Sequence, residues 1–415
     1  MRWKLLGVGL LLLSVVGGVL AGRAVLGRSA SGVLVSSIPL HTFVGSTTFD
    51  PRTGRLYVLT RASGGFGYFT GNVTVSYYYT TGPYTGGPGG GSLGFAAGPR
   101  PYDAGSSISV VATRAAAPTI TLAVGATLRA IAVDAPQGLA YVTAGPMELR
   151  VLQANTGALL RSLQLRQAPR AVAVDASTNR ALVVERDGTV QVLQAATGTT
   201  LRTLHLPALA GYSTLAWTAT AEGVYLTDGS TLSILNARDG TLRTTVPLPT
   251  DLAQPAFFAR SRTAIAAGGG RVFVLEDGVL FTLDSRSGRV VRHVTVGQGA
   301  DGLAFDAARG HLLLVRAGST IAGTGSTDQQ GTLQVLDART GSVLQTLPAG
   351  LRPTAVFIDA SAGHALVVDS GGRQQVHDPL SWLPTGIRQI LPFSTSSPPA
   401  RVVPASILVL DLQRL

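Results

Sequence analysis

The chemistry open to this 415-residue chain is limited first by its scarce ionisable side chains. Lys4 is the only lysine and lies beside an N-terminal apolar segment. A phosphate-binding P-loop needs a lysine after its glycines, and Schiff-base catalysis needs a lysine amine, so the sequence excludes both. Cysteine is absent, which excludes disulfides, thiolate metal sites and a thiol nucleophile.

Histidine and glutamate suggest no active site either. His311 and His364 begin apolar runs in equivalent places of a repeat. We interpret them as polar residues at strand ends, with a zinc pair as the less favoured alternative, because no metal-ligand spacing accompanies them. No carboxylate pair of the glycosidase type and no nucleophile elbow are visible. The sequence therefore predicts no catalytic residue, no metal ligand and no cofactor. The glutamates are Glu148, Glu185, Glu222 and Glu276.

An aspartate recurs at the end of the first strand of the repeat. Two further copies of the repeat lack it, near Thr218 and near Arg260. Such an aspartate either binds a cation or caps a turn by accepting backbone N–H bonds, and turn capping is the favoured interpretation. The recurring residues are Asp50, Asp134, Asp175, Asp306 and Asp359.

The repeat itself is clearest between residues 169 and 206, which read as four short strands joined by three turns. Asp187-Gly188 predicts a two-residue hairpin that needs positive φ. A Thr-Gly pair, here Thr197-Gly198, precedes the fourth strand. A period of about 40 to 45 residues with four strands per unit indicates a propeller blade. The sequence predicts an all-β, seven-bladed β-propeller of four-stranded antiparallel blades, with an open β-solenoid as the alternative.

The two ends of the repeat region are predicted to meet in one blade. Residues 33–40 form a strand with no earlier partner, and residues 406–412 resemble a third strand with no fourth strand after it. We therefore expect the N-terminal strand to close the last blade as its outer strand, which removes an exposed edge and favours a monomer.

The N-terminus carries a targeting signal. Arg2 and Lys4 precede an apolar run over residues 5–21, which predicts a hydrophobic helix that is either a cleaved signal peptide or an uncleaved membrane anchor. We predict a signal or anchor at 1–26, a linker at 27–32 and the propeller at 33–415. The location expected is extracytoplasmic, either membrane-anchored by the N-terminus or secreted.

Composition and charge fit this fold. Only 13% of residues are charged, against about 25% in typical domains, as expected for sheets buried on both faces. The net charge of +11 comes from arginine. Because the arginines are scattered rather than clustered, we predict no nucleic-acid partner.

Three insertions interrupt the repeat, at about 61–106, 316–331 and 370–404. They join the second and third strands of blades 1, 6 and 7, which are neighbours in a closed ring. Long loops in compact domains are usually functional or disordered, and aromatic rings with arginine suit sugars or peptides. The predicted ligand contacts are Tyr77, Tyr78, Tyr79, Tyr84, Tyr102, Arg373, His377 and Trp382.

The second strands resemble a known repeat. Tyr141-Val142-Thr143-Ala144 is similar to the Tyr-Val-Thr-Asn signature of the YVTN family of β-propeller repeats, and Tyr57-Val58 and Val224-Tyr225-Leu226-Thr227 echo it. The resemblance implies an extracytoplasmic propeller, often at the cell surface. Similar propellers include lactonases and quinone-dependent dehydrogenases, but no motif carries their catalytic residues to this chain.

Two functions follow from these observations. The favoured one is an exported binding or scaffold module that uses the extended loops to hold a protein or a cell-wall glycan or peptide. The membrane is a further partner if the N-terminal segment is uncleaved. The alternative is an exported propeller enzyme, such as a lactonase or quinone-dependent oxidoreductase, with loop-borne polar groups converging in a cleft.

Overall fold

The structure, a computed structural model, describes twelve ranges of the chain. They are residues 32–40, 43–61, 106–114, 120–126, 128–175, 178–210, 215–220, 222–249, 263–297, 299–318, 330–375 and 400–415.

Seven four-stranded antiparallel sheets follow one another round a ring, which confirms the predicted all-β seven-bladed propeller. The first strands of neighbouring blades contact each other, so they line the axis and are called a strands, followed outward by b, c and d. The a strands are β2 (Phe43–Asp50), β6 (Leu128–Asp134), β10 (Pro169–Asp175), β14 (Ala216–Thr220), β18 (Thr263–Gly268), β22 (Ala300–Asp306) and β26 (Pro353–Asp359).

The b strands are β3 (Arg55–Arg61), β7 (Leu139–Ala144), β11 (Arg180–Glu185), β15 (Gly223–Thr227), β19 (Arg271–Glu276), β23 (His311–Arg316) and β27 (His364–Asp369). The c strands are β4 (Ser106–Ala112), β8 (Glu148–Gln153), β12 (Thr189–Gln194), β16 (Thr231–Leu235), β20 (Val279–Asp284), β24 (Thr332–Asp337) and β30 (Ala405–Asp411).

The d strands, taken from blade 1 to blade 7, are β5 (Ile120–Ala126), β9 (Leu159–Gln164), β13 (Thr200–His205), β17 (Leu242–Pro247), β21 (Val290–Thr295), β25 (Val343–Pro348) and β1 (Leu34–Leu40). A separate ribbon pairs β28 (Gly372–Gln375) with β29 (Ala400–Val403). Within the described ranges, helix is confined to short 3-10 turns at Pro207–Leu209 and Leu412–Arg414.

Alternating strand direction gives the ring two faces. The turn face carries the a-to-b and c-to-d turns. The link face carries the b-to-c links and the connections from each d strand to the next blade. Every a and c strand therefore ends at the turn face, and every b and d strand ends at the link face.

The core consists of layers between blades rather than one central cluster. Each of seven groups of buried apolar residues draws its members from two neighbouring blades, including the pair formed by blades 7 and 1. The b strands are buried on both sides, so runs such as 181–184 and 312–315 are continuously apolar. Small residues such as Ala171 and Ala173 allow the a strands to pack closely near the axis.

The N-terminal strand closes the ring, as the sequence predicts. β1 pairs with β30 from Leu34↔Leu410 to Leu40↔Ala405. Ile38 is buried in the layer between blades 7 and 1. The two ends of the chain thereby complete one sheet.

Arg114 fixes the same seam at the turn face. Its Nε lies 2.7 Å from Asp359 Oδ2, and its Nη2 donates to Asp359 Oδ1 at 2.9 Å and to Ser361 Oγ at 2.6 Å. Although burial acts to raise the pKa of Asp359, the hydrogen bonds from Arg114 and Ser361 hold it below its ordinary value. The contact joins blade 1 to blade 7 across 245 residues of sequence.

The recurring aspartates cap turns, which confirms the favoured interpretation. Asp306 Oδ1, for example, accepts the backbone N–H groups of Ala308 at 3.0 Å and Arg309 at 3.3 Å. The caps belong to four-residue a-to-b turns that end in a residue with positive φ, such as Gly310 at +67°. Glycine or asparagine at that place avoids the strain of a left-handed backbone.

Blades 4 and 5 replace this capped turn with a two-residue turn. Thr220 pairs with Gly223, and Gly268 pairs with Arg271. The placement of the end of the a strand of blade 5 near Arg260 is wrong, because this strand ends at Gly268. Gly269 and Gly270 form the turn, with φ of +58° and +71°.

The b-to-c turn of blade 3 also differs from the prediction. The predicted two-residue hairpin at Asp187-Gly188 is a three-residue link, 186–188, in which Gly188 alone has positive φ, at +85°. In blade 5, Asp277 (+43°) and Gly278 (+83°) do form the two-residue turn with positive φ at both positions.

The predicted N-terminal hydrophobic helix lies outside the described residues. Within the part of the chain that the structure describes, no helix is long and apolar enough to cross a membrane.

Candidate functional site on the link face

The b-to-c links divide the blades into two groups. In blades 2 to 5 these links have two or three residues. In blade 1 the b strand ends at Arg61 and the c strand begins at Ser106; in blade 6 they are separated by residues 317–331, and in blade 7 by residues 370–404. The three long links leave consecutive blades on one face, so residues far apart in sequence start from one sector of the ring.

The predicted ligand contacts are almost all outside the described part of this sector. Arg373 lies on β28, where it pairs with Val402. The ribbon of β28 and β29 begins three residues after β27 ends, so it follows directly from blade 7 at the link face. Because the other contacts lie in the undescribed links, the predicted site stays a prediction. They are Tyr77, Tyr78, Tyr79, Tyr84, Tyr102, His377 and Trp382.

The platform beneath these links is built by irregular a strands. In blades 6, 7, 1, 2 and 3 the pairing of the a strand with the b strand shifts near its first residues, as at a β-bulge. A bulge turns an extra side chain away from the ladder, and here each shift skips one polar residue; in blades 1 and 2 it also skips Gly45 and Ala130. The polar residues are Ser46, Arg129, Arg170, Asp301 and Thr354. Nothing in the sequence singles them out, because their place in the ladder depends on pairing.

Charged residues at the ends of b strands hold the connections between blades. Glu185 Oε2 accepts the backbone N–H of Gln167 at 2.9 Å, and Gln167 lies in the connection that enters blade 3. Arg316 donates to the carbonyl of Val296, in the connection that enters blade 6. Glu185 is fully buried, and burial lowers the pKa of Arg316. Each side chain fixes a connection at the link face by a charge-assisted hydrogen bond.

Asp369 makes the most complete of these contacts. Its carboxylate accepts the backbone N–H groups of Leu351 at 3.1 Å, Arg352 at 2.7 Å and Gly371 at 3.1 Å. Burial raises the pKa of Asp369, while these hydrogen bonds act to lower it. It therefore ties the connection that enters blade 7 to the start of the long link that leaves it.

Glu276 ends the b strand of blade 5, as Asp369 ends that of blade 7, but its carboxyl accepts fewer hydrogen bonds. Burial raises its pKa to about 8, although a hydrogen bond from the Thr263 hydroxyl acts to lower it. Its carboxyl also packs against Gly229 of blade 4, where a Cβ atom would lie only 2.4 Å from either oxygen. Nearby Asp277 and Asp228 also raise its pKa, so the carboxyl is neutral near pH 7.

A cleft of about 370 Å³ lies at the turn face between blades 1 and 2. Tyr141 and Tyr225, in equivalent b strands, donate to carbonyls of the next blade, at Ala195 and Ser285. The equivalent Tyr57 lines the cleft instead, where burial raises its pKa and the Arg55 guanidinium next to it acts to lower it.

The carboxylate of Asp50, which lines that cleft, already accepts hydrogen bonds within its own turn. Asp50 Oδ1 accepts the backbone N–H of Arg52 at 2.9 Å, and its other oxygen accepts from the Thr53 hydroxyl. Among the residues the structure describes, no group of three or more histidines, aspartates and glutamates is placed to hold a metal ion. His311 and His364 begin b strands of different blades, as expected for polar strand ends.

A family described as outer membrane protein assembly factor BamB matches residues 103–252. This range runs from the c strand of blade 1 to just beyond the d strand of blade 4 and covers just over a third of the chain. No curated protein matches the chain. The match supports a propeller repeat of this type, and the resemblance to the YVTN family stays a prediction.

Proposed function

We propose that this chain is an exported, non-enzymatic binding module that holds an extended polypeptide on its link face. The observation that carries the proposal is the position of the three long b-to-c links, which leave blades 6, 7 and 1 side by side. The match to a family described as an outer membrane protein assembly factor supports contact with another protein.

The ribbon of β28 and β29 gives this face a way to bind backbone. In the described structure it is a two-stranded sheet with four residue pairs, from Gly372↔Val403 to Gln375↔Ala400. A two-stranded sheet has two outer edges whose N–H and C=O groups can pair with an added strand. Arg373 and Arg401 lie on this ribbon, so it favours a peptide segment with acidic residues.

The buried charges beneath the links make the platform rigid. Glu185, Arg316 and Asp369 each hold an interblade connection at this face. A surface that is already ordered loses less conformational entropy when a ligand binds. The link face thus combines a fixed base with the three long links, which carry the predicted ligand contacts.

The proposal also includes export of the propeller by its N-terminal segment. Residues 5–21 carry the signal or anchor, and Gly32 lies beside the start of β1, at the turn face. Residues 27–32 reach roughly 20 Å when fully extended. If the apolar segment is retained, the propeller stands close to the membrane with its link face directed outward.

The test is a binding screen of the purified full chain against arrayed extended peptides, with cell-wall glycan fragments as the comparison. We expect peptide binding that Tyr78→Ala and Trp382→Ala each weaken by about tenfold, as for aromatic contact residues, while the melting curve is unchanged. Met147→Ala is the matched control, because Met147 is 37% exposed in the short link of blade 2. Binding that survives both substitutions, preference for glycans, or turnover of a lactone or an electron acceptor would overturn the proposal.

A further inference from the structure

Exposed aliphatic side chains recur at one place in every blade, the first two residues of the d strand. Nine of the ten large hydrophobic residues that are more than a third exposed in the described ranges lie there. Their exposed fractions run from 43% at Leu242 to 58% at Ile120. We call these residues the aliphatic belt. One from each blade, in order from blade 1, is Ile120, Leu159, Leu201, Leu242, Val291, Val343 and Val35.

The belt lies at the rim of the turn face. Every d strand starts at that face, because it follows the c-to-d turn, and the belt residues are the first or second of each strand. An outer strand usually carries charged side chains, which prevent association through its edge. The first or second residues of the seven d strands therefore form a ring of exposed aliphatic side chains at the rim of the turn face.

Arginines accompany the belt in blades 2 to 5. Arg161, Arg202, Arg243 and Arg292 are exposed, and each follows a belt residue directly. Arg161 Nη1 donates to the carbonyl of Ala196, and Arg292 Nη1 to that of Thr340, both at 2.8 Å. These carbonyls belong to c-to-d turns, so the hydrogen bonds hold the two guanidinium groups at the turn face. Aliphatic and cationic groups thus share one rim.

We propose that this rim docks on an anionic lipid bilayer, with the belt residues among the lipid headgroups. A protein partner usually covers one contiguous patch, whereas a planar ring of separate aliphatic residues fits a planar surface. Arginines near such a surface are attracted to anionic lipids, in keeping with the net charge of +11. The apolar run at residues 5–21 also joins the propeller at this rim, through Gly32. The proposal concerns the face opposite the peptide site and does not depend on it.

The absence of cysteine from the chain allows a direct test. Single cysteines are placed at Leu201, Val291 and Leu160, and at His205, Thr295 and Gln164 as matched controls. Each control lies four residues along the same strand and is also exposed, but it is about 13 Å closer to the link face. An environment-sensitive dye is attached to the full chain in phosphatidylcholine vesicles, with or without phosphatidylglycerol and lipid-borne nitroxide.

We expect a blue shift and strong nitroxide quenching at the three belt positions but not at their controls. Both effects should grow with phosphatidylglycerol and weaken in 1 M salt, where the Debye length is about 3 Å. Equal signals within each pair, or signals indifferent to phosphatidylglycerol, would overturn the proposal. A blue shift that rises with protein concentration in the absence of lipid would show that a second copy of the chain covers the belt, which also overturns it.

Discussion

Blades 6, 7, 1, 2 and 3 differ from blades 4 and 5 in how their a strands are built. In the first group the a strand is shifted against the b strand near its start and ends in a capping aspartate before a four-residue turn. In the second group the a strand has five or six residues, pairs without a shift and ends in a two-residue turn. The two groups are consecutive arcs of one ring.

The difference shows where this fold tolerates change. All three long b-to-c links lie in the five-blade arc, whereas the connections on either side of blade 4, residues 206–215 and 248–262, are long instead. Both kinds of expansion are on the link face. The described turns of the turn face stay short, so variation is concentrated on the face that we propose binds a partner.

The largest expected effect comes from removing the strand that completes blade 7, within the five-blade arc. Deletion of residues 33–40 exposes the edge of β30 and removes the buried side chains of Ile38 and Leu40. Loss of two buried aliphatic residues alone costs about 5 kcal/mol, so we expect a large fall in melting temperature or no folding. Deletion of residues 1–29 is the control and should leave the curve unchanged; equal curves for the two deletions would refute the closure.

The next test contrasts Glu276 with Glu148. Since the pKa of Glu276 is raised from 4.5 to about 8, the folded state holds a proton there that the unfolded state has lost. Its contribution is therefore complete below pH 4.5 and declines between pH 4.5 and 8, by up to about 1.4 kcal/mol per pH unit. We expect Glu276→Gln to remove this decline in denaturant unfolding measured across that range.

Glu148 is the control, because its pKa is shifted in the opposite direction. Hydrogen bonds from Arg150 and Ser162 lower its pKa, so its contribution is present above pH 4.5 and is lost as pH falls through its lowered pKa. Glu148→Gln should change stability only in acid. A Glu276→Gln protein with the parent's dependence on pH between 4.5 and 8 would contradict the assignment of a neutral carboxyl.

The smallest expected effect on stability comes from substitutions in the two kinds of a-to-b turn. Asp306→Ala removes two backbone hydrogen bonds and a contact of 2.9 Å with Arg309. We expect a loss of about 1 to 2 kcal/mol in the free energy of unfolding. Thr220→Ala in blade 4 removes only a hydrogen bond of 3.2 Å to the backbone of Glu222 and should cost about 0.5 kcal/mol or less. Equal losses would show that the capped turn is not the stronger one.

The sequence predicted the parts of the fold that local chemistry determines. The recurring aspartates and the glycine turns are recognised from their sequence neighbours. The role of the strand at 33–40 follows from the repeat, because the last copy lacks a fourth strand. The end of the a strand in blade 5 differs from the prediction because Gly269-Gly270 makes a two-residue turn where most blades have a capped one.

Long-range contacts between individual side chains required coordinates. Arg114 and Asp359 are 245 residues apart, and the elevated pKa of Glu276 arises from burial beside another blade. The bulged positions depend on register, which periodicity alone does not define. Of the predicted contacts, only Arg373 lies on a described strand, so the sequence remains the basis for the aromatic part of the site.

The pairing of β1 with β30 also sets an order of events. Leu34 and its partner Leu410 are separated in the sequence by all the other described strands of the propeller. Closing so long a loop is entropically costly and slow, since the cost rises with the logarithm of its length. Six blades can pair their own strands as they emerge, while the seventh waits with an open edge. We therefore expect the pairing of β1 with β30 to be the last step in closing the ring.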